Sequence, residues 1–375
     1  LNESMQRDPH EVLPRVPIGA AVIQVIDGQR RPIGGAQVRV KSNETGKQSD
    51  MLLTASDGRA MYLPGIDGFA VGTFLCTVRS SVHDEASTYE MQAGQTPWLI
   101  QLPDAEGQLP QRLDLALVID TTGSMSDELE YLKVEIDSIS QTIKSMFPNV
   151  DQRFALIVYR DNGDEYVFRT FDFTDSLTAF RKRLGQQSAG GGGDYPEAMH
   201  AAIQAAGQLS WREGNVARAM FLIADAPPHD AEARESFNHI AALRSQGVRM
   251  FPVAASGVQL KAEYLMRSGA FATMGQYLFL TDHSGVGNPH AKPHVPDYQV
   301  ERLDRLMIRM IASELAAKRL AQQEVLAIER GDRDHVMPLV PEAQRQAAAP
   351  AIVHAEVGYC GTPAGGLCGT PDEGT

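Results

Sequence analysis

Between Leu113 and Leu132 the chain reads LDLALVIDTTGSMSDELEYL, an aliphatic run that ends on Asp120 and passes through Thr122, Gly123 and Ser124 into an acidic helix start. Leu115, Ala116, Leu117, Val118 and Ile119 offer no polar face, so they suit a central parallel strand covered on both sides. One carboxylate and several hydroxyls then fall at the carboxyl end of that strand. In open α/β sheets this edge carries the ligand crevice, because the connections diverge where the strand order reverses.

Downstream the pattern alternates between strand and helix. Leu129, Leu132, Ile136, Ile139 and Ile143 predict an amphipathic helix from about Asp127 to Met146. There follow the strand RFALIVYRD, a second strand near YVFRTFDF, a helix near Leu177 to Leu184 and the loop AGGGGDYPEA. A helix from Pro196 to Leu209, the strand RAMFLIADAPP, a helix from Ala231 to Ser245 and the strand VRMFPVAAS come next. A short helix from Ala262 to Ser268, the strand QYLFL and one long helix from Asp297 to about Glu329 complete the series. The order predicts an α/β fold over residues 112–329, a doubly wound and mostly parallel sheet with right-handed crossovers.

Upstream the period changes. From Ala20 to Pro103 short strands such as AAVIQVID, AQVRVKS and TFLCTVRS are separated by turn signals such as IDG, IGG and SDG, and no helical period appears. That predicts a small antiparallel β-sandwich over residues 16–104, after an N-terminal extension of residues 1–15. GGAQVRV followed by TASDGRAMYLPG resembles the collagen-adhesin B-type and carboxypeptidase-regulatory-like sandwich domains, which implies a spacer or presentation module. DAEGQLPQ, Asp104 to Gln111, reads as a polar linker. Residues 330–375 are rich in Ala, Pro, Gly and Gln without periodicity, an extended tail that would need a neighbour to order it.

A length of 375 residues is long for one core, in keeping with two domains. The net charge of -13 argues against nucleic acid or an anionic membrane as the main partner and suits cations and basic proteins. No apolar run is long enough to span a membrane. The chain begins at Leu1, which fits a processed leader and a chosen boundary equally. Of three cysteines, Cys76 inside GTFLCTV reads as an apolar core residue. Cys360 and Cys368, in CGTPAGGLCGTP, are either a disulfide or two free thiols.

Three stretches now fall on one sheet edge: DTTGS, GGGGDYPE and ADAPPH. Here the chain resembles a von Willebrand factor A-type domain from about Leu113 to Leu320. The metal-ion-dependent adhesion site of that family takes Asp-x-Ser-x-Ser from one loop, a Thr from a second and an Asp from a third. The resemblance implies Asp120, Thr122 and Ser124 as the first loop and Asp225 as the third. Asp194 stands where a Thr is usual. Such oxygen donors suit a hard cation, Mg²⁺ or Ca²⁺. With Asp194 included the site holds three carboxylates, so a divalent ion leaves it near minus one and disfavours an acidic ligand. The bland alternative is that Asp120 and Thr122 cap the following helix.

His229 follows the third loop, and His283, His290 and His294 lie in TDHSGVGNPHAKPHVPD; a second metal site or exposed loop histidines are the two readings. The GGGG run is not followed by Lys and Ser or Thr, so it is no phosphate loop. The expectation is a non-catalytic, extracytoplasmic protein that binds a protein partner through a metal at this edge, with a cytoplasmic location also open. A homo-oligomeric surface assembly ordered by the tail is the alternative. Metal-assisted hydrolysis with His229 or Glu197 as base is a third.

Overall fold

The computed structural model describes residues 20–332, apart from 65, 69–70, 81–85, 194, 256 and 281–300. Asp194, His283, His290, His294, Cys360, Cys368 and nearly all of the tail therefore lie outside the described residues.

The N-terminal strands are β1 (Ala21–Asp27), β2 (Gln37–Ser42), β3 (Leu52–Leu53), β4 (Arg59–Tyr62), β5 (Thr73–Arg79), β6 (Ser87–Gln92) and β7 (Trp98–Leu102). They form two sheets, ordered β4-β1-β7 and β3-β2-β5-β6. Ile23, Val25, Val38, Val40, Phe74, Val78 and Ile100 fill the space between them. Tyr62, Phe74 and Trp98 cluster there with ring centroids 5.4 to 5.6 Å apart. Cys76 is a buried free thiol of this core, and burial pushes its pKa up to about 12. One pairing departs from the antiparallel expectation: β1 and β7 run parallel, because the chain crosses to the second sheet and returns beside β1 in the same direction.

Every residue of β1 is buried. Its odd positions face the sandwich core, while Val22 joins Met61 and Leu63 in packing against the second domain. Arg244 donates to both carboxylate oxygens of Asp67, at 2.6 and 2.7 Å, and to the Met61 carbonyl, with both charged side chains almost fully buried. Arg249 pairs with Asp57, and the Ser56 hydroxyl donates to Glu314 at 2.9 Å. Gly35, at φ +73°, lies so close to the Gly214 backbone that a Cβ would stand 2.3 Å from its carbonyl carbon.

The second domain comprises β8 (Arg112–Asp120), α1 (Ser126–Met146), β9 (Asp151–Tyr159), β10 (Phe168–Thr174), α2 (Leu177–Gly185), α3 (Met199–Gly207) and β11 (Ala217–Ala224). It continues with α4 (Ala233–Ser245), β12 (Arg249–Ala254), α5 (Leu260–Ala272), β13 (Leu278–Phe279), α6 (Leu303–Leu315) and α7 (Gln322–Glu329). The sheet order is β10-β9-β8-β11-β12-β13, parallel except for β10, the antiparallel edge. This is the expected α/β doubly wound architecture. Alternation along β8 serves two helical layers. Leu115, Leu117 and Ile119 pack with Leu129 and Leu132 of α1 and Met307 and Ile311 of α6. Ala116 and Val118 pack with Ala202 and Ile203 of α3 and Phe237 and Ile240 of α4.

Two helix expectations are corrected. The helix expected to open at Pro196 begins at Met199, because Glu197 bridges to Pro228 and holds the preceding residues extended. The single long helix expected from Asp297 to Glu329 is two. Ala317 adopts φ +52°, and Ser313 is drawn into local bonds from Lys318 and Leu320, which ends α6. Among the described residues no helix is long and apolar enough to cross a membrane.

Candidate metal centre

The strand order reverses between β8 and β11, whose carboxyl ends carry Asp120 and Asp225. Diverging connections open a crevice at such a switch point. Asp120 is completely buried. Its Oδ1 accepts the Thr122 backbone N–H at 2.9 Å and the Thr122 hydroxyl at 2.7 Å. Its Oδ2 is buried without a hydrogen-bond partner among the described residues. The Thr122 hydroxyl stands 3.4 Å from that of Ser124. Ser124 in turn hydrogen-bonds Asp225, whose Oδ2 also receives the Tyr195 hydroxyl at 3.4 Å. Asp225 Oδ1 is a second buried oxygen with no partner among the described residues.

Asp120, Thr122, Ser124 and Asp225 are thus brought together. The helix-capping alternative fails, since no side chain caps either α1 or the 3₁₀ turn Gly123–Met125 before it.

The glycine-rich loop folds over this group. Gly190 N–H donates to the Thr121 carbonyl at 3.0 Å and Gly123 N–H to the Gly191 carbonyl at 3.2 Å. Gly192 has φ +65°, and a Cβ there would lie 2.9 Å from both Thr122 Cβ and Glu197 Oε1. Only glycine combines that backbone with that lack of space. Beyond it, Glu197 N–H donates to the Pro227 carbonyl at 3.0 Å. The backbone thereby ties the second loop to the third. Glu197 is 4% exposed, and its Oε2 has no partner among the described residues.

Electrostatics sharpen the picture. Burial first, then the Asp225 charge, push the Asp120 carboxyl up to about 7. Burial raises Asp225 as well. Glu197 is pushed up to about 9 by burial and by the charges of Asp120, Asp161, Asp164 and Asp225. Burial and Asp225 push the Tyr195 phenol up to about 12. Such a set is unfavourable without a cation.

Among the described residues, no three Asp, Glu, His or Cys side chains are placed to hold a metal by themselves. Among the described residues, the hydroxyls of Thr122 and Ser124 are the oxygen donors that stand with Asp120 and Asp225. Two orphaned carboxylate oxygens beside two hydroxyls fit a hard, oxygen-seeking cation that keeps some water.

Sequence reasoning named Glu197 only as a possible base and missed its place between Thr122 and the third loop. The cue was its position three residues after Asp194, masked by the helix expected to start at Pro196. His229 lies at the rim, where its Nε2 is 2.7 Å from Asp161 Oδ1.

Residues 114–285 match the family model of the von Willebrand factor A domain. Curated relatives include the alpha-protein kinase vwkA of Dictyostelium discoideum, 28% identical over 40% of this chain and 24% of that protein. An ariadne-like RING finger protein of Acanthamoeba polyphaga mimivirus is 34% identical over 33% of this chain and 12% of its own length. The human von Willebrand factor A domain-containing protein 7 is 32% identical over 31% of this chain and 12% of its own. The chain thus spans a quarter or less of these relatives. Solved structures include the conserved hypothetical protein BatB from Bacteroides thetaiotaomicron, at TM-score 0.38 and 14% identity, covering 54% of this chain and 98% of that one. A von Willebrand factor type A structure from Catenulispora acidiphila gives TM-score 0.38 and 13% identity over 76% and 51% of the two chains.

Proposed function

We propose that this chain, which carries a von Willebrand factor A domain, is a non-catalytic module that recognises a protein partner through a divalent cation at the carboxyl edge of its sheet. Mg²⁺ and Ca²⁺ are the candidate ions, with Asp120, Thr122, Ser124 and Asp225 holding the ion and Asp194 a further candidate. The observation that carries the reading is the pair of orphaned oxygens, Asp120 Oδ2 and Asp225 Oδ1, buried beside two hydroxyls at the switch point. The ion would supply an electrophilic point for a partner oxygen. The protein's part is to hold the donors rigid, through the Thr122 bonds to Asp120 and the Ser124 and Tyr195 bonds to Asp225. We place the protein outside the cytoplasm, with the sandwich as its presentation module.

Calorimetric titration of Mg²⁺ and Ca²⁺ into chelator-treated protein tests this, beside Asp120→Ala. The substitution is expected to weaken binding by more than the roughly 10–100-fold typical of removing an outer partner of a metal ligand. No heat in either protein, with the fold intact by circular dichroism, would overturn the reading.

A further inference from the structure

We infer that Glu197 is a third carboxylate of the cation site, acting on the ion through an intervening water and setting its charge preference. The inference rests on the cation reading above and assigns a residue outside the adhesion-site pattern. Glu197 Oε2 is an unpartnered oxygen on a residue only 4% exposed. The backbone holds the residue there, since Glu197 is bonded to Pro227 and bridged to Pro228, immediately after Asp225 and Ala226. On its other side Oε1 and Thr122 approach the same face of Gly192. Glu197 therefore stands between the first and third loops, within electrostatic reach of both Asp120 and Asp225.

Among the described residues no three acidic side chains are placed to hold a metal by themselves, which is why the contact is assigned to a water. A buried carboxylate oxygen without a donor is unfavourable if the residue serves packing alone. A nearby cation supplies the missing counter-charge. With Asp120, Asp225 and Glu197 around one divalent ion, the loaded site keeps about one negative charge. It therefore favours ions of higher charge.

The test is titration of Ca²⁺ and Tb³⁺ into chelator-treated wild type, Glu197→Gln and Asp120→Ala. Glu197→Gln is expected to weaken Ca²⁺ by roughly 10–100-fold, the range for a group acting through a first ligand, and to weaken Tb³⁺ more. In chelator its thermal midpoint is expected to rise above that of wild type, because the cost of burying an ionisable carboxyl is gone. Unchanged ion affinities in Glu197→Gln, with binding lost in Asp120→Ala, would overturn the Glu197 assignment and leave the cation reading standing. Unchanged affinities in both variants would overturn the cation reading itself. A Glu197→Gln variant that fails to fold in chelator would show a structural carboxylate and equally overturn the assignment.

Discussion

Arg244→Ala is expected to lower the unfolding free energy by about 3–5 kcal/mol, the largest single effect in this chain. The guanidinium is 6% exposed and makes paired bonds to Asp67, which also accepts the Leu63 backbone N–H at 2.7 Å. Truncation leaves the Asp67 carboxylate buried without its cation, and the Met61 carbonyl loses a donor. The loss is therefore the penalty of an orphaned charge more than the net strength of the pair. Replacing both partners, as Arg244→Met with Asp67→Asn, is expected to recover most of it, since the neutral amide oxygen still accepts from the Leu63 N–H. Urea denaturation followed by circular dichroism reads both variants. Equal losses in the single and double variants would show that packing of the Arg244 stem, rather than its charge, holds the interface.

The second large effect is a pH dependence that a bound cation is expected to remove. The Asp120 and Glu197 carboxyls are held up at about 7 and about 9 in the folded protein, while an unfolded carboxyl titrates near ~4. Between those values the folded state binds more protons than the unfolded, so stability falls as pH rises. The contribution is fully present below pH ~4 and is lost progressively through the folded values. Because the carboxylates interact, they titrate as a group. In chelator, wild type is expected to lose several kcal/mol between pH ~5 and pH ~9, relative to the Glu197→Gln, Asp120→Asn double variant. Each carboxyl contributes up to about 1.4 kcal/mol per pH unit between its unfolded and folded values. Saturating Ca²⁺ is expected to flatten the profile, since the ion takes over the charge the protons had neutralised. Thermal denaturation across pH, with and without ion, checks it. A chelated profile parallel to that of the double variant would show that these carboxyls are already compensated.

The parts of the fold legible in the sequence were those set by local pattern. The Leu115–Ile119 run could only be a strand covered twice, and its exit through Asp120, Thr122 and Ser124 placed polar groups at a sheet edge. Asp225 was legible for the same reason, following the apolar strand Ala217–Ala224. What escaped was set by distant partners. Glu197 looked like the first turn of a helix because Pro196 favours that position, but a bridge to Pro228, thirty-one residues on, holds it extended. The break after α6 follows from Ala317 in a left-handed conformation that no Gly announces. Arg244 and Asp67 are 177 positions apart and Ser56 and Glu314 258, so no spacing rule could pair them. The segment read as a polar linker is likewise tied down, with Gly107 N–H donating to Asp27 and Asn215 to the Gln108 carbonyl.

All of those interdomain ties gather at one end of the sheet. Asn215 precedes β11, Arg249 begins β12, and Arg244 and Glu314 lie near the last turns of α4 and α6, which run opposite to the strands. The candidate centre lies at the other end. On the proposed reading the sandwich is a handle at one pole and the cation edge a grip at the other, with the parallel strands spanning the distance between them. A pull between handle and grip runs along β8 and β11, where it loads the whole ladder of interstrand hydrogen bonds together in shear rather than peeling them one at a time. On that reading the sheet is loaded along its strands, in tension.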